Sequence, residues 1–228
     1  GAREVRQAAS AFLDMRERLS RHLEQRTALL AGVSHDLRTP LTRLKLQLAL
    51  MPESEEREAA RRDLCDMETA LEEYLAFARG RHGDETERVD LSTLLADIAA
   101  AASRDRSGLI AEIPDRLVVE GRAGALKRAV SNLVENALAH ADHVRLTARR
   151  LGRRVEILVD DDGPGIPEDS REEAFKPFSR LDAARNANRK GVGLGLAIAR
   201  DAARSHGGDV VLETSEMGGL RAVVTLPG

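Results

Sequence analysis

Gly32 Val33 Ser34 His35 Asp36 Leu37 Arg38 Thr39 Pro40 Leu41 Thr42 Arg43 Leu44 is a stretch with two unlike sides. Apolar residues at Leu30, Val33, Leu37, Leu41, Leu44, Leu48 and Met51 recur with alternating steps of three and four, which predicts a helix with one buried stripe. With Leu30, Leu37 and Leu44 at heptad position a, His35 falls at f, furthest from the packed seam, so its imidazole is expected in water. Thr39 lies one turn further along that face, and Asp36 is adjacent in the chain.

A solvated imidazole is largely neutral near pH 7 and nucleophilic, so it can take a group from a donor that docks against the helix. A carboxylate beside it can accept the ring proton or fix the tautomer that leaves the other nitrogen free. Pro40 cannot donate to the carbonyl of Asp36, at a cost of about 3 kcal/mol, and is expected to bend the rod. As a string, Ser34 to Leu41 resembles the phospho-acceptor box of bacterial two-component sensor histidine kinases. The likeness runs from Arg26 Thr27 and Ala31 Gly32 Val33 upstream to Thr42 Arg43 Leu44 downstream, nearest the osmosensor-type subgroup.

The rest of the chain narrows the class. Its 228 residues give room for one large domain or two small ones, and 32% charged residues with only 2% aromatics fit long helices. The net charge of −3 comes without a basic block, which gives no support for a nucleic-acid surface. Cys65 is the single cysteine, which excludes an internal disulfide framework and points to a reducing cytosol, with Cys65 itself a small residue near a helix seam. No apolar run approaches the ~18 residues a membrane span needs. The chain nevertheless opens at Gly1 in an already helical pattern, and residues 1–25 resemble the last helix of a membrane-proximal linker, so a longer protein is expected, anchored on the cytoplasmic side of the inner membrane.

Residues from about Val5 to Met51 read as one long helix or two in register. Pro52 breaks it, and Ser54 with Glu55 and Glu56 starts another. That second arm carries Leu64, Met67, Leu71, Tyr74 or Leu75, and Ala78, and is expected to end near Gly80. Two amphipathic helices cannot close a core alone, so the expected solution is a homodimer, two hairpins forming a four-helix bundle with both copies of His35 outside. Residues 81–89 read as a polar linker. Beyond it come a short helix Leu91 to Ala102, a brief strand Arg116 to Glu120, a helix Arg122 to Ala141, and paired strands Val144 to Arg149 and Val155 to Asp160 around Gly152. A helix from about Gly193 to His206 and strands Asp209 to Thr214 and Arg221 to Leu226 complete a layered α/β domain.

This second domain holds three suggestive pieces. Asn132 and Asn136 share one helix face, and an amide oxygen is a hard neutral ligand suited to Mg²⁺. Asp160 Asp161 Asp162 Gly163 Pro164 Gly165 ends a strand in a turn where backbone can approach a flat ligand and a carboxylate can accept from an exocyclic amine. Gly191 Val192 Gly193 Leu194 Gly195 runs into a helix N-terminus, a seat for phosphate. Between the last two lie Phe175 Lys176 Pro177 Phe178 and a polar run, Asp182 to Lys190, with the look of a lid. Arg180 and Lys190 are candidate phosphate contacts.

In this order the pieces resemble the ATP-binding domain that histidine kinases share with the gyrase, chaperone and mismatch-repair ATPases. The resemblance implies a helical hairpin over 26–80, a bundle in the dimer, followed by an α/β sandwich over 90–228. It implies ATP and Mg²⁺ as cofactors, with Asn136 on the metal, Asp161 on adenine, Gly163 and Gly165 in the base-side turn, and Gly191, Gly193, Leu194 and Gly195 at the phosphates. Hydrolytic relatives carry Glu where this chain has Asn132; an amide there activates no water, which points to His35 as the nucleophile, Asp36 as its base, and an aspartate of a response regulator as the final acceptor. Thr39 matches the position that helps place water for dephosphorylating the regulator. Many kinases have Lys or Arg where Ala139 stands and Tyr where His140 stands, leaving Lys127 or Arg180 as substitutes for the basic contact. The rivals are an ATPase of the same superfamily and a non-catalytic dimerising relay.

Overall fold

The computed structural model describes residues 36–79, 86–105, 108–179 and 193–228, together with Gln7, Met15 and Gly32, which are helical or lie in a helix. The expectations placed on His35 and on the opening 25 residues, apart from Gln7 and Met15, therefore lie outside the described residues. The chain divides into two compact units, residues 1–79 and 80–228. No helix among the described residues is long and apolar enough to cross a membrane.

The first unit is a helical hairpin. Helix α1 (described over 36–50) runs through Pro40 without interruption and stops before Pro52, and α2 (Glu55–Arg79) returns. Ser54 caps α2 through its Oγ, which accepts from Arg57 N–H at 3.1 Å, and Glu55, Glu56 and Glu58 oppose the positive helix end. Arg57 reaches back to the end of α1, donating to the Met51 carbonyl at 2.8 Å. Leu41 and Leu64 are buried within the hairpin, and Lys45 pairs with Glu68 at 2.8 Å. Leu37, Leu44 and Met51, the heptad a line, remain 45%, 47% and 50% exposed. One neighbour covers one line of a two-line stripe. For the same reason Met67, expected in the stripe, is exposed in the hairpin. Cys65 is exposed rather than set near the seam, because it stands about 100° around the helix from buried Leu64.

The second unit is a layered α/β fold. Strand β1 (Glu87–Asp90) pairs antiparallel with β3 (Val118–Gly121), setting Val89 opposite Val119. The last residues of the expected linker therefore belong to this unit, because a buried valine anchors them. Asp90 caps α3 (Leu91–Asp105), its Oδ1 accepting from Thr93 N–H at 3.2 Å. The main sheet has the order β2-β4-β5-β7-β6, built from β2 (Leu109–Glu112), β4 (Val144–Leu151), β5 (Arg154–Asp161), β7 (Leu220–Pro227) and β6 (Asp209–Thr214). All its pairings are antiparallel except β2 with β4. Strand β2 is an addition to the sequence reading: it lies on the edge with three of its four residues exposed, so it leaves no alternation to detect.

Leu146, Ile157, Val159, Val210, Val224 and Leu226 bury the inner face of the sheet together with α3, α4 (Ala123–His140) and residues of α5 (Gly195–Ser205). Helices α4 and α5 are braced where α4 begins and α5 ends. His206 Nε2 accepts from Arg122 N–H at 2.9 Å while its Nδ1 donates to the Ala202 carbonyl at 2.7 Å, which fixes one neutral tautomer across the two helices. Removing the ring leaves a half-buried backbone donor without its partner, a loss of about 1–3 kcal/mol. The thermal transition of the second unit in His206→Ala is therefore expected several degrees lower by calorimetry; an unchanged transition would show the brace to be inert.

Candidate nucleotide site

The three glycine- and amide-bearing pieces converge on the second half of α4. Asn132 and Asn136 are half-buried, one turn apart, while Leu133, Val134 and Ala137 beside them enter the core. A Cβ built on Gly195 would lie 3.7 Å from Asn132 Cβ, so the first turn of α5 sits directly on the asparagine face. No side chain caps that turn, and Leu194 is its N-cap residue. Its first backbone N–H groups are left for an anion. The side chain of Leu194 is fully buried, which restricts its part at a phosphate seat to the backbone.

The base-side turn packs against the other end of the same stretch. A Cβ on Gly163 would meet the His140 carbonyl at 2.8 Å, and Gly165 takes a φ of +68° that favours glycine. Asp161, at the end of β5, is almost completely buried. Its Oδ1 accepts from Gly163 N–H at 2.9 Å and Leu220 N–H at 3.0 Å, which leaves Oδ2 outside both bonds. A buried carboxylate anchored on one oxygen is oriented to accept from a ligand amine on the other.

Gly219 completes this floor, and sequence reasoning passed over it. Its N–H donates to the Asp161 carbonyl at 3.1 Å, and a Cβ there would fall 2.2 Å from Asp161 Oδ1. The Gly218 Gly219 pair before a strand was the available signal; its meaning depends on β7 lying beside β5, a pairing between segments some sixty residues apart. The turn is held from the outer face of the sheet, where Asp160 Oδ1 accepts from Ser215 Oγ at 2.8 Å and from Arg221 Nε at 2.7 Å.

On the other flank, Arg200 of α5 lies 4.1 Å above the Phe175 ring and donates to both Glu172 oxygens, at 2.7 and 3.1 Å. It also meets Asp209 at 3.0 Å. Desolvation pushes the Asp209 carboxyl up, but the hydrogen bonds from Arg204, Arg200 and Val210 N–H outweigh it and hold it at about 2. The ionised group thus supports this corner above its ordinary titration range, and that support is lost as pH falls toward 2. Phe178 N–H donates to the Gly193 carbonyl at 3.0 Å, and a Cβ on Gly193, at φ +77°, would meet the Ser179 carbonyl at 2.8 Å.

Of the candidate basic contacts, Arg180 and Lys190 lie outside the described residues, as does Gly191. Lys127 is exposed on α4 nine residues before Asn136, about 180° around the helix and some 13 Å along it. The structure does not bring Lys127 to the asparagine face. Glu135 is exposed, on a different side of α4 from its half-buried neighbour Asn136.

Such a pocket, with a helix N-terminus, paired amides and a carboxylate under a glycine turn, has the features of an ATP-binding domain. Residues 121–228 match the family described as histidine kinase-, DNA gyrase B- and HSP90-like ATPases. Residues 25–83 match the His Kinase A (phospho-acceptor) domain. Across 100% of its length the chain is 39% identical to the sensor histidine kinase GtrS of Pseudomonas aeruginosa, covering 47% of that protein. Across 95% it is 36% identical to the sensor protein RstB of Escherichia coli, covering 52% of it. The chain thus spans about half the length of the curated relatives it matches. Among solved structures, the ATP-binding domain of PrrB from Mycobacterium tuberculosis superposes with a TM-score of 0.53 at 35% identity, over 64% of this chain and 98% of that one. Full-length ShkA in complex with AMPPNP gives 0.69 at 26% identity, over 87% and 45%. The chain belongs to the two-component sensor histidine kinases, with a phospho-acceptor hairpin followed by an ATP-binding α/β domain.

Proposed function

We propose that this chain is the kinase core of a membrane-anchored sensor, and that it phosphorylates itself on His35 from ATP. The observation that carries the reading is Asn132 standing against Gly195 at the phosphate end of the pocket. A carboxylate there could activate water; an amide has no useful basicity, so ATP is held until another nucleophile arrives. His35 supplies it. Its ring nitrogen attacks the γ-phosphorus, an N–P bond forms as the bond to the ADP oxygen breaks, ADP leaves with the electron pair, and Asp36 takes the ring proton. The phosphoryl group then passes to an aspartate carboxylate of a response regulator.

The donor set fits a divalent cation: Asn136 offers a hard amide oxygen one turn from Asn132 on the face that α5 approaches. Asn136 would hold Mg²⁺, which supplies charge neutralisation across the phosphates. Asp161 orients the base, Gly163 and Gly165 let the backbone close on it, and the N–H groups from Gly193 to Gly195 face the phosphates, with Gly191, Arg180 and Lys190 from the adjoining segment. Thr39, on the exposed side of α1, places water for removing phosphate from the regulator.

The open line of Leu37, Leu44 and Met51 supports a second copy as the hairpin's partner. Leu44→Asp is expected to convert the dimer to monomer in sedimentation equilibrium, and a persisting dimer would place the interface elsewhere. Anchoring at the cytoplasmic side of the inner membrane follows from the sensor relatives, of which this chain spans about half. The decisive experiment is incubation with γ-³²P ATP, with and without Mg²⁺. Acid-labile, alkali-stable label on the protein, dependent on Mg²⁺ and chased by a receiver domain, is expected. Phosphate release without a labelled protein would instead make it an ATPase.

A further inference from the structure

We propose that Asp162, between Asp161 and Gly163, is a positioning residue that sets the register between the turn meeting the nucleotide base and the helix meeting its phosphates. The inference rests on the nucleotide reading of this site and adds a residue to it. Helix α4 ends at His140, and Ala141 is already extended, at φ −136° and ψ 161°. The N–H groups of Asp142 and His143 therefore project beyond the helical ladder. Both donate to Asp162 Oδ1, at 3.0 and 2.9 Å. The other carboxylate oxygen, Oδ2, lies 2.6 Å from His143 Nδ1, and Asp162 N–H donates to the His143 carbonyl at 3.2 Å. One side chain and its own backbone thus clasp the whole connection between α4 and β4.

The clasp stands where it matters for geometry. Gly163, the next residue, is packed on the His140 carbonyl, and His140 is one turn beyond Asn136. A nucleotide that touches Asp161 with its base and the Asn136 side with its phosphates spans this junction. Misplacement by about 1 Å at such a point can cost orders of magnitude in a well-fitted site. The electrostatics agree with the contacts. The His143 backbone N–H, then its ring, hold the Asp162 carboxyl below the usual range, and Asp162 in turn raises the His143 imidazole.

The two halves of the clasp are separable. The His143 ring is mostly exposed, and the two backbone N–H groups need only an oxygen at Oδ1. Asp162→Asn keeps that oxygen, and its amide can donate to the neutral ring after a change of tautomer. Asp162→Ala removes both acceptors. Calorimetric titration of the full chain with ATP in Mg²⁺ is expected to show binding weakened about tenfold in Asp162→Ala, the scale of a modest misplacement. Asp162→Asn and His143→Ala should bind as the unaltered chain does. In autophosphorylation the KM for ATP should rise in Asp162→Ala while kcat at saturation is kept, a split that general destabilisation would not give. Unchanged affinity in Asp162→Ala would overturn the clasp, and so would a loss in Asp162→Asn equal to that in the alanine variant. Should Asp162→Ala fail to fold, the paired result for Asp162→Asn and His143→Ala still decides. Absence of ATP binding by the unaltered chain would overturn the nucleotide reading instead.

Discussion

Phosphoprotein formation from γ-labelled ATP is expected to fall to background in His35→Gln, while ATP binding by the same variant stays at the level of the unaltered chain. Glutamine keeps a polar side chain of similar reach at a position expected to face water, so the hairpin loses no packing. It has no ring nitrogen with a lone pair to attack phosphorus, so the N–P bond cannot form. Binding is untouched because the residues that hold the nucleotide, Asn132, Asn136, Asp161 and the Gly193 to Gly195 backbone, all lie in the unit formed by residues 80–228. Undiminished labelling in the variant would remove His35 from the reaction, whatever the pocket binds.

Gly219→Ala is expected to weaken ATP binding by about 10- to 100-fold, corresponding to one charge-assisted hydrogen bond of about 1.5–3 kcal/mol. The added methyl would fall 2.2 Å from Asp161 Oδ1, 2.5 Å from Gly163 N and 2.6 Å from the Asp161 carbonyl oxygen. Carboxylate and turn cannot both stay. Either Asp161 swings off the base-side oxygen position or the β6–β7 turn lifts and takes Leu220 N–H away from it. The sheet itself should survive, since β5 and β7 remain paired from Arg154 opposite Pro227 to Asp160 opposite Arg221. Titration with ATP beside a circular-dichroism melt checks both halves. Tight ATP binding in the variant would show that this corner is not the floor of the pocket.

Local rules recovered much of the architecture. Ser54 ahead of three acidic residues places the start of α2, the alternation of Val144 to Arg149 and Val155 to Asp160 places the central hairpin, and both appear within a residue or two of where they were expected. Strand β2 was not legible, because an exposed edge strand buries almost nothing and writes no alternation into the chain. Met67 and Cys65 departed from expectation because periodicity says which residues share a helix face and is silent on how much of that face one neighbour covers.

The sequence by itself determined the order of the pieces: an exposed His beside an Asp, paired asparagines, an Asp-Gly-Pro-Gly turn and a glycine run before a helix. These are local patterns, set by residue type and spacing along a few turns of backbone. Only the tertiary structure decided which of them touch. It set Gly195 on Asn132 and Gly163 on His140, closed Gly219 over Asp161, bound Asp162 to the end of α4, and put Lys127 on the far side of that helix. Those contacts join segments tens of residues apart, and they follow from strand order and helix packing, which no short stretch of chain encodes alone.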